Sequence, residues 1–372
     1  MKILIASDSF KGTLTSTRIS QLFIKQFDHQ YTEVTSAQIS DGGEGLLIAL
    51  EQPYDLEIQK VSVIGPLGIT VQAKVGTSEK HSLLVVEMAE ASGLPLIQES
   101  LRDPLTTTSY GTGQLLLLAK ENKYKNILLG VGGSATSDGG IGALQALGIQ
   151  IDDIPDKASA KDLINIKSFN IPTNFWLKGK NIQIACDVNN PFTGINGAAK
   201  IYGPQKCNPT IDSSETIEQV EEGMIHLQSI IKQQFDIDLN HVQGSGAAGG
   251  IAGSFHAILK ASLTPGTDII FDAIQLEKKI EDADLIITGE GCLDHQTLNG
   301  KVIAGISHLT KKHHKTLIGI CGQNNLSKEE LHQLGIQKVF SLTDFASIED
   351  CMNNTESVFI KLLDQLAVTC LS

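Results

Sequence analysis

No apolar run in this 372-residue chain approaches the roughly 20 residues that span a bilayer, and Leu115 to Ala119 is too short to try. The first ten residues, MKILIASDSF, read as a buried strand and lack the apolar segment and cleavage site of a secretory leader. Six cysteines stand at 186, 207, 292, 321, 351 and 370, with no CxxC pair. That pattern excludes a disulfide framework and a zinc site, and it predicts reduced thiols and a cytoplasmic protein. Basic residues are scarce, 29 against 42 acidic ones, for a net charge of −13. A surface of that sign repels nucleic acid and anionic membrane, so neither is an expected partner and a DNA-binding regulator is disfavoured. Small anions remain possible ligands, because salt screens exposed charge beyond about 8 Å. Nucleophile-elbow GxSxG, zinc HExxH and Walker A sequences are all missing.

Glycine, in contrast, is plentiful: 35 residues, clustered beside Asp, Glu, Ser and Lys in the manner of ligand loops. Strand-like runs alternate with helical patterns at both ends of the chain. KILIAS (2–7), EVTSAQI (33–39), DLIIT (284–288), TLIGICG (316–322) and KVFSLT (338–343) carry the rhythm of a parallel, doubly wound sheet. The first strand is followed by a helix with Ile19, Leu22 and Phe23 on one face, capped near Thr15 or Ser16. The middle differs. Residues 61–76 are punctuated like a hairpin, and SLLVVEMA and NILLGV read as further strands. The expected fold is therefore α/β: a discontinuous Rossmann-like parallel-sheet domain of residues 1–61 plus 281–372, interrupted by an inserted α/β domain of residues 62–280.

Six clusters could carry chemistry. SDSFKG (7–12) and SDGGEG (40–45) sit at the ends of the first two strands, where open parallel sheets bind ligands. Lys11 can reach a phosphate or carboxylate, and Ser9 can hydrogen-bond it. In the second cluster Gly42 and Gly43 open the backbone beside Asp41 and Glu44. GVGGSATSDGG (130–140) places Gly132, Gly133 and Ser134 ahead of a helix, an arrangement that suits phosphate, with Asp138 as the expected N-cap. GSGAAGG (244–250), with Gly246, Gly249 and Gly250, also matches GxGxxG, but no buried strand precedes it. CDVNNPFTG (186–194) offers Asp187 as a hard oxygen ligand, and its asparagines suit a turn before Pro191. TGEGCLDHQTLNGK (288–301) places Glu290, Asp294 and Lys301 in a glycine-spaced loop. The adjacent Asp294 and His295 make a poor dyad, and His313 and His314 read as solvated.

DSFKGTLTS, ISDGGEG, GVGGSATSDGG, CDVNNPFTG with GPQK, GAAGG and TGEGCLDHQTLNGK occur in this order over residues 7–301. Together they resemble the bacterial glycerate kinase family, ATP-dependent kinases of D-glycerate without a P-loop. The resemblance implies a phosphotransferase acting on an alcohol group, with ATP and Mg2+ as cofactors. Phosphorylation of the 2-hydroxyl is favoured over the 3-hydroxyl, and a homodimer is allowed.

On that reading Asp187 is the base with Asp41 as runner-up, and Lys11 joins them in catalysis. Ser9, Lys11, Asp41, Gly42, Gly43, Glu44, Asp294 and Lys301 bind substrate. Gly132, Gly133, Ser134, Gly246, Gly249 and Gly250 line the ATP phosphates, and Asp187, Asp41 and Glu290 hold the metal. All these segments are expected to share one cleft. Two positions depart from the family's pattern: Cys292 stands where an arginine is usual, and Cys207 where a glycine is usual. A cysteine cannot make an arginine's bidentate anion contact, which leaves Lys301 or Lys206 as replacements if that contact is needed. The rival functions are a metabolite-binding sensor without turnover, which Cys292 alone supports, and an NAD-dependent oxidoreductase, which the two GxGxx(G/A) matches suggest.

Overall fold

A computed structural model describes residues 1–10, 13–28, 32–39, 45–121, 124–299 and 301–370, with the side chains of Gln296, Asn299, Lys301 and Cys370 outside the description. In chain order the strands are β1 (Lys2–Ser7), β2 (Glu33–Ser36), β3 (Glu57–Ile64), β4 (Thr70–Ser78), β5 (Leu83–Glu87), β6 (Asn126–Gly130), β7 (Gln150–Ile151), β8 (Phe169–Asn170), β9 (Asn181–Ala185), β10 (Ser262–Thr264), β11 (Leu285–Leu293), β12 (Thr316–Asn324) and β13 (Ile336–Ser341). They divide between two compact units, Met1–Asp41 with Thr267–Ser372, and Gly42–Gly266.

The first unit holds a sheet of order β13-β12-β11-β1-β2. Every neighbouring pair in it is parallel. Helices cover such sheets on both faces, which is why β1 is apolar and buried almost throughout rather than alternating. Ile3, Ile5, Leu285, Ile287, Ile318 and Ile320 meet Phe23, Phe27 and Phe359 in the core. The edge of Phe359 packs on Phe10 and on Phe23, with ring centroids 5.9 and 5.8 Å apart. Helix Ser16–Phe27 starts as its sequence predicts: the Thr15 side chain accepts the Arg18 amide.

The second unit holds a sheet of order β10-β9-β6-β5-β4-β3. Its β10, β9, β6 and β5 run parallel. The hairpin read at 61–76 supplies the antiparallel edge, β4 beside β5 and β3 outermost. Its core joins Leu84, Val86, Leu129 and Ile184 to Leu144, Leu227, Ile251 and Phe255.

The units divide at residues 42 and 266, earlier than the expected 61 and 280. Helix Leu46–Tyr54 goes with the second unit because its Leu47 amide donates to the buried Glu87 carboxylate at 2.7 Å. Leu47 and Leu56 also press on the space beside Gly76 of β4. Helix Leu276–Asp282 packs instead with β1 and with helix Lys301–Lys312, and Phe271 of helix Gly266–Ala273 lies against Gly305 of the same helix.

Candidate active-site loops

In the first unit the chain leaves β1 towards β2 on one flank and later returns as β11 on the other. The strand order therefore reverses between β1 and β11, the place where open α/β sheets bind ligands. The end of β1 is fixed there: the Asp8 amide donates to the Gly289 carbonyl at 2.9 Å, and Ser7 Oγ donates to the same oxygen at 3.1 Å. The Ser9 amide then donates to the Asp8 carboxylate at 2.6 Å. Glu290 was expected in a loop. It lies within β11 instead, opposite Cys321 of β12. The flanking glycines permit this, since a Cβ on Gly289 would stand 2.0 Å from the Ile320 carbonyl oxygen. Thr297 ties the neighbouring acids together, its hydroxyl donating to Glu290 and accepting from the Asp294 amide at 3.0 Å.

These groups line a pocket of about 570 Å3. Its polar lining includes Asp8, Ser9, Glu290, Asp294, Gln323 and Thr343, and its apolar lining Phe10, Val302, Ile303, Leu342, Ile348 and Met352. Asp8, Gln323 and Thr343 were not singled out from sequence. Asp8 stands in the DSFKGT motif and was passed over for Ser9 and Lys11. Nothing in the sequence marks Gln323 or Thr343. Lys11, Asp41, Gly42, Gly43 and Glu44 lie outside the described residues, and Lys301 is placed only as the first residue of its helix. His295 does not pair with Asp294; its Nδ1 lies 2.9 Å from Glu330 at an exposed position. His313 is not solvated as expected, since its ring bonds Glu277 at 2.9 Å and its side chain is only 19% exposed.

In the second unit the loops after β6 and β9 meet the glycine stretch ahead of helix Ile251–Leu259. The Gly139 amide donates to the Gly249 carbonyl at 2.9 Å, and the Gly246 amide to the Asn190 carbonyl at 3.0 Å. A Cβ on Gly249 would stand 2.1 Å from the Thr136 carbonyl oxygen, and one on Gly250 would strike Phe192 and Met224. The glycines at 246, 249 and 250 thus each have a packing reason and are buried, whereas Gly132 and Gly133 are accessible. Asp187, half-buried after β9, accepts the Gly266 amide at 3.1 Å. Asn190 serves its turn: its side chain donates to the Asn196 carbonyl and accepts from the Tyr202 hydroxyl.

Asp138 was expected as the N-cap, but that position is Gly140; Asp138 stands two residues further out and still takes up first-turn amides. Its carboxylate accepts the Gly140 and Gly142 amides and both donors of Ser109, at the start of helix Tyr110–Leu116. Burial raises its pKa and those hydrogen bonds oppose the rise. Lys206 is 2% exposed. Its ammonium donates to the Thr136 carbonyl at 2.6 Å and to Ser134 Oγ at 3.1 Å. Burial pulls its pKa down to about 7, against the opposing pull of Asp138. As a replacement cation for an exposed anion site Lys206 is thus poorly placed, because both its contacts turn inward.

A family model described as the glycerate kinase family matches residues 3–371. The chain belongs to that family. It is 38% identical to "Glycerate 2-kinase" of Escherichia coli K12 over 381 aligned positions, covering 99% of this chain and 98% of the relative. To "Glycerate kinase" of Halalkalibacterium halodurans it is 35% identical, covering 98% and 97%. A solved crystal structure of a candidate glycerate kinase 2 from Salmonella typhimurium LT2 superposes with a TM-score of 0.82 at 35% identity, covering 99% of this chain and 98% of that one. The protein is a phosphotransferase with an alcohol group as acceptor and glycerate as its substrate. Among the described residues no helix is long and apolar enough to cross a membrane.

Both dinucleotide-like patterns fail on local structure. After Gly130 the chain runs on in a loop, and the helix begins only at Ile141. The stretch at 244–250 follows a short turn of 3-10 helix, Leu239–His241, and no strand. The thiol of Cys292 accepts a contact from the Asn325 side chain at 3.4 Å. Burial, with Asp294 and Glu290 nearby, raises its pKa, so the position carries no charge where the family's arginine would. Cys207 is buried, with its thiol against the Gly203 carbonyl oxygen at 3.4 Å.

Proposed function

We propose that this protein transfers the γ-phosphoryl group of ATP to the 2-hydroxyl of D-glycerate, giving 2-phosphoglycerate, with Mg2+ as cofactor and in the cytoplasm. The observation that carries the reading is a family match that runs through both units. The choice of hydroxyl leans on the relative named as a 2-kinase.

The donors suit magnesium. Asp187 and Glu290 offer hard oxygens. Among the described residues no three His, Cys, Asp or Glu groups gather as a metal cage. Mg2+ commonly takes one or two carboxylates and completes its shell with water and phosphate. One or two of Asp187, Glu290 and Asp41 would hold it, and when bound it offsets phosphate charge.

The chain's own groups do the rest. Asp187 accepts the proton of the attacking hydroxyl. Lys11 and Lys301 offset the charge of phosphate and of the glycerate carboxylate. Gly132, Gly133 and Ser134 face the phosphates, with Gly246, Gly249 and Gly250 supporting that loop from behind. Asp41 and Glu44 orient hydroxyls, and Gly42 and Gly43 let the substrate approach the backbone. Ser9 and Asp294 contact a substrate at the ends of β1 and β11.

Purified protein given ATP, Mg2+ and D-glycerate should release ADP well above a control without glycerate, and phosphorus NMR should show 2-phosphoglycerate. No glycerate-dependent ADP would refute the activity, and 3-phosphoglycerate would refute the regiochemistry.

A further inference from the structure

Gly132, Gly133 and Ser134 are the loop residues proposed to face the phosphates, and only Ser134 has a side chain to offer. Its main chain is pinned on both sides. The Leu94 amide donates to the Gly133 carbonyl at 2.9 Å, and the Ala135 amide to the Ser92 carbonyl at 2.8 Å. What is left to fix is the hydroxyl, and Lys206 reaches it. Its ammonium donates to Ser134 Oγ at 3.1 Å and to the Thr136 carbonyl at 2.6 Å. The lysine's own main chain is held in turn, its amide donating to the Gly203 carbonyl at 2.9 Å in a turn that Pro204 opens. An ammonium is costly to bury, and Asp138 is the charge that favours it here.

An ammonium has three donors and no acceptor, whereas a hydroxyl has one donor and two acceptor lone pairs. The contact between a charged Lys206 and Ser134 therefore has one polarity only. Ser134 accepts, and its own proton must seek another acceptor. Among the described residues the Ser134 hydroxyl donates to none. Ser134 is 7% exposed, beside the accessible Gly132 and Gly133, so an acceptor can enter from that open side. The oxygens of a phosphate group are strong acceptors.

We infer that Lys206 is a positioning residue for phosphoryl transfer: its buried ammonium occupies a lone pair of Ser134 and so makes that hydroxyl an obligate donor to a phosphate oxygen of ATP. The inference rests on the proposed facing of loop 132–134 to the phosphates and adds what aims Ser134. Lys206 acts through Ser134 and touches no substrate, unlike the roles proposed for Lys11 and Lys301.

The test is a double-mutant cycle in the full-length protein: Lys206→Met, Ser134→Ala and the two combined, each checked for folding by thermal denaturation. Calorimetry with ATP and Mg2+ is run at about pH 6, below the lysine's pKa of about 7. Kd for ATP should rise about tenfold in each single variant, the usual effect of losing one hydrogen bond to a charged group. The double variant should bind no more weakly than either single one, because the two residues act as one unit. KM for ATP should follow Kd, with KM for D-glycerate within twofold. Lys206→Gln keeps a donor for the Thr136 carbonyl, but its amide can also accept, so it should raise Kd while leaving the melting temperature near that of the wild type. A wild-type Kd in Ser134→Ala overturns the inference, whether or not the Lys206 variants fold. So do losses that multiply in the double variant, or a wild-type Kd in Lys206→Gln. Absence of glycerate-dependent ADP release would refute the kinase reading instead, and the ATP-binding cycle would still decide the role of Lys206.

Discussion

Lys206 Nζ stands 2.6 Å from the carbonyl oxygen of Thr136, in an interior position with 2% of the lysine exposed. A buried ammonium thus stitches the loop after β6 to the segment after helix Ala198–Tyr202. With a folded pKa of about 7 against an ordinary 10.5, the unfolded chain binds the extra proton between those values. Stability therefore rises as pH climbs from about 7 to 10.5, and the penalty of the buried charge is fully present below 7. Lys206→Met abolishes this slope: relative to the wild type it fares best below about pH 7, where the buried-charge penalty is removed, and worst near pH 10.5, where only the partners left behind on Ser134 and Thr136 count. Urea unfolding of both proteins across that range checks the sign; parallel pH curves would contradict it.

Gly249 has φ +68° and no room for a side chain, with the Thr136 carbonyl oxygen 2.1 Å from the place of a Cβ. Gly148 has φ +98° with open space around it. Gly249→Ala should cost more than about 2 kcal/mol, combining strain with overpacking. Gly148→Ala should cost only about 1–2 kcal/mol, the backbone term alone. Guanidinium denaturation ranks the two, and the reverse order would remove the packing account of the 244–250 loop.

Asp187→Asn should lower kcat by about 10²–10⁴, the usual worth of a positioned base. The fold should be unaffected, because an amide oxygen can still accept the Gly266 amide. Near-normal turnover in a folded variant would strike Asp187 from the mechanism.

Cys292→Arg places a guanidinium beside Asp294 and Glu290, both of which act on the present thiol. The expected result is a KM for ATP lowered about threefold to tenfold, since a bidentate cation would then face the phosphate-bearing substrate. An unchanged KM would assign the family's arginine to loop support.

The parallel sheets were legible because each inner strand is a short apolar run with glycine at its end, and Thr15 announced its own helix. Less legible was the extent of β11. Glu290 and Cys292 look like loop residues, and only the pairing with β12 makes them strand. GPQK showed a lysine but not its burial, which depends on a loop some 70 residues earlier in the chain. The pocket was half visible. Ser9, Glu290 and Asp294 belong to quoted motifs, while Gln323, Thr343, Ile348 and Met352 come from connections with no local signature. Lys11, Asp41, Gly42, Gly43 and Glu44 lie outside the described residues, so their part rests on the motifs.

The interrupted topology has a consequence for biosynthesis. Strand β1 is synthesised well before its partner β11, which begins only at Leu285, beyond the whole second unit. At about 5–20 residues per second, the nascent amino-terminal segment waits tens of seconds with a sticky edge uncovered. The intervening residues from Gly42 to Gly266 can meanwhile complete their own sheet. Chaperone capture of stalled chains should accordingly centre on the segment that holds β1 and β2, and release should coincide with the emergence of β11.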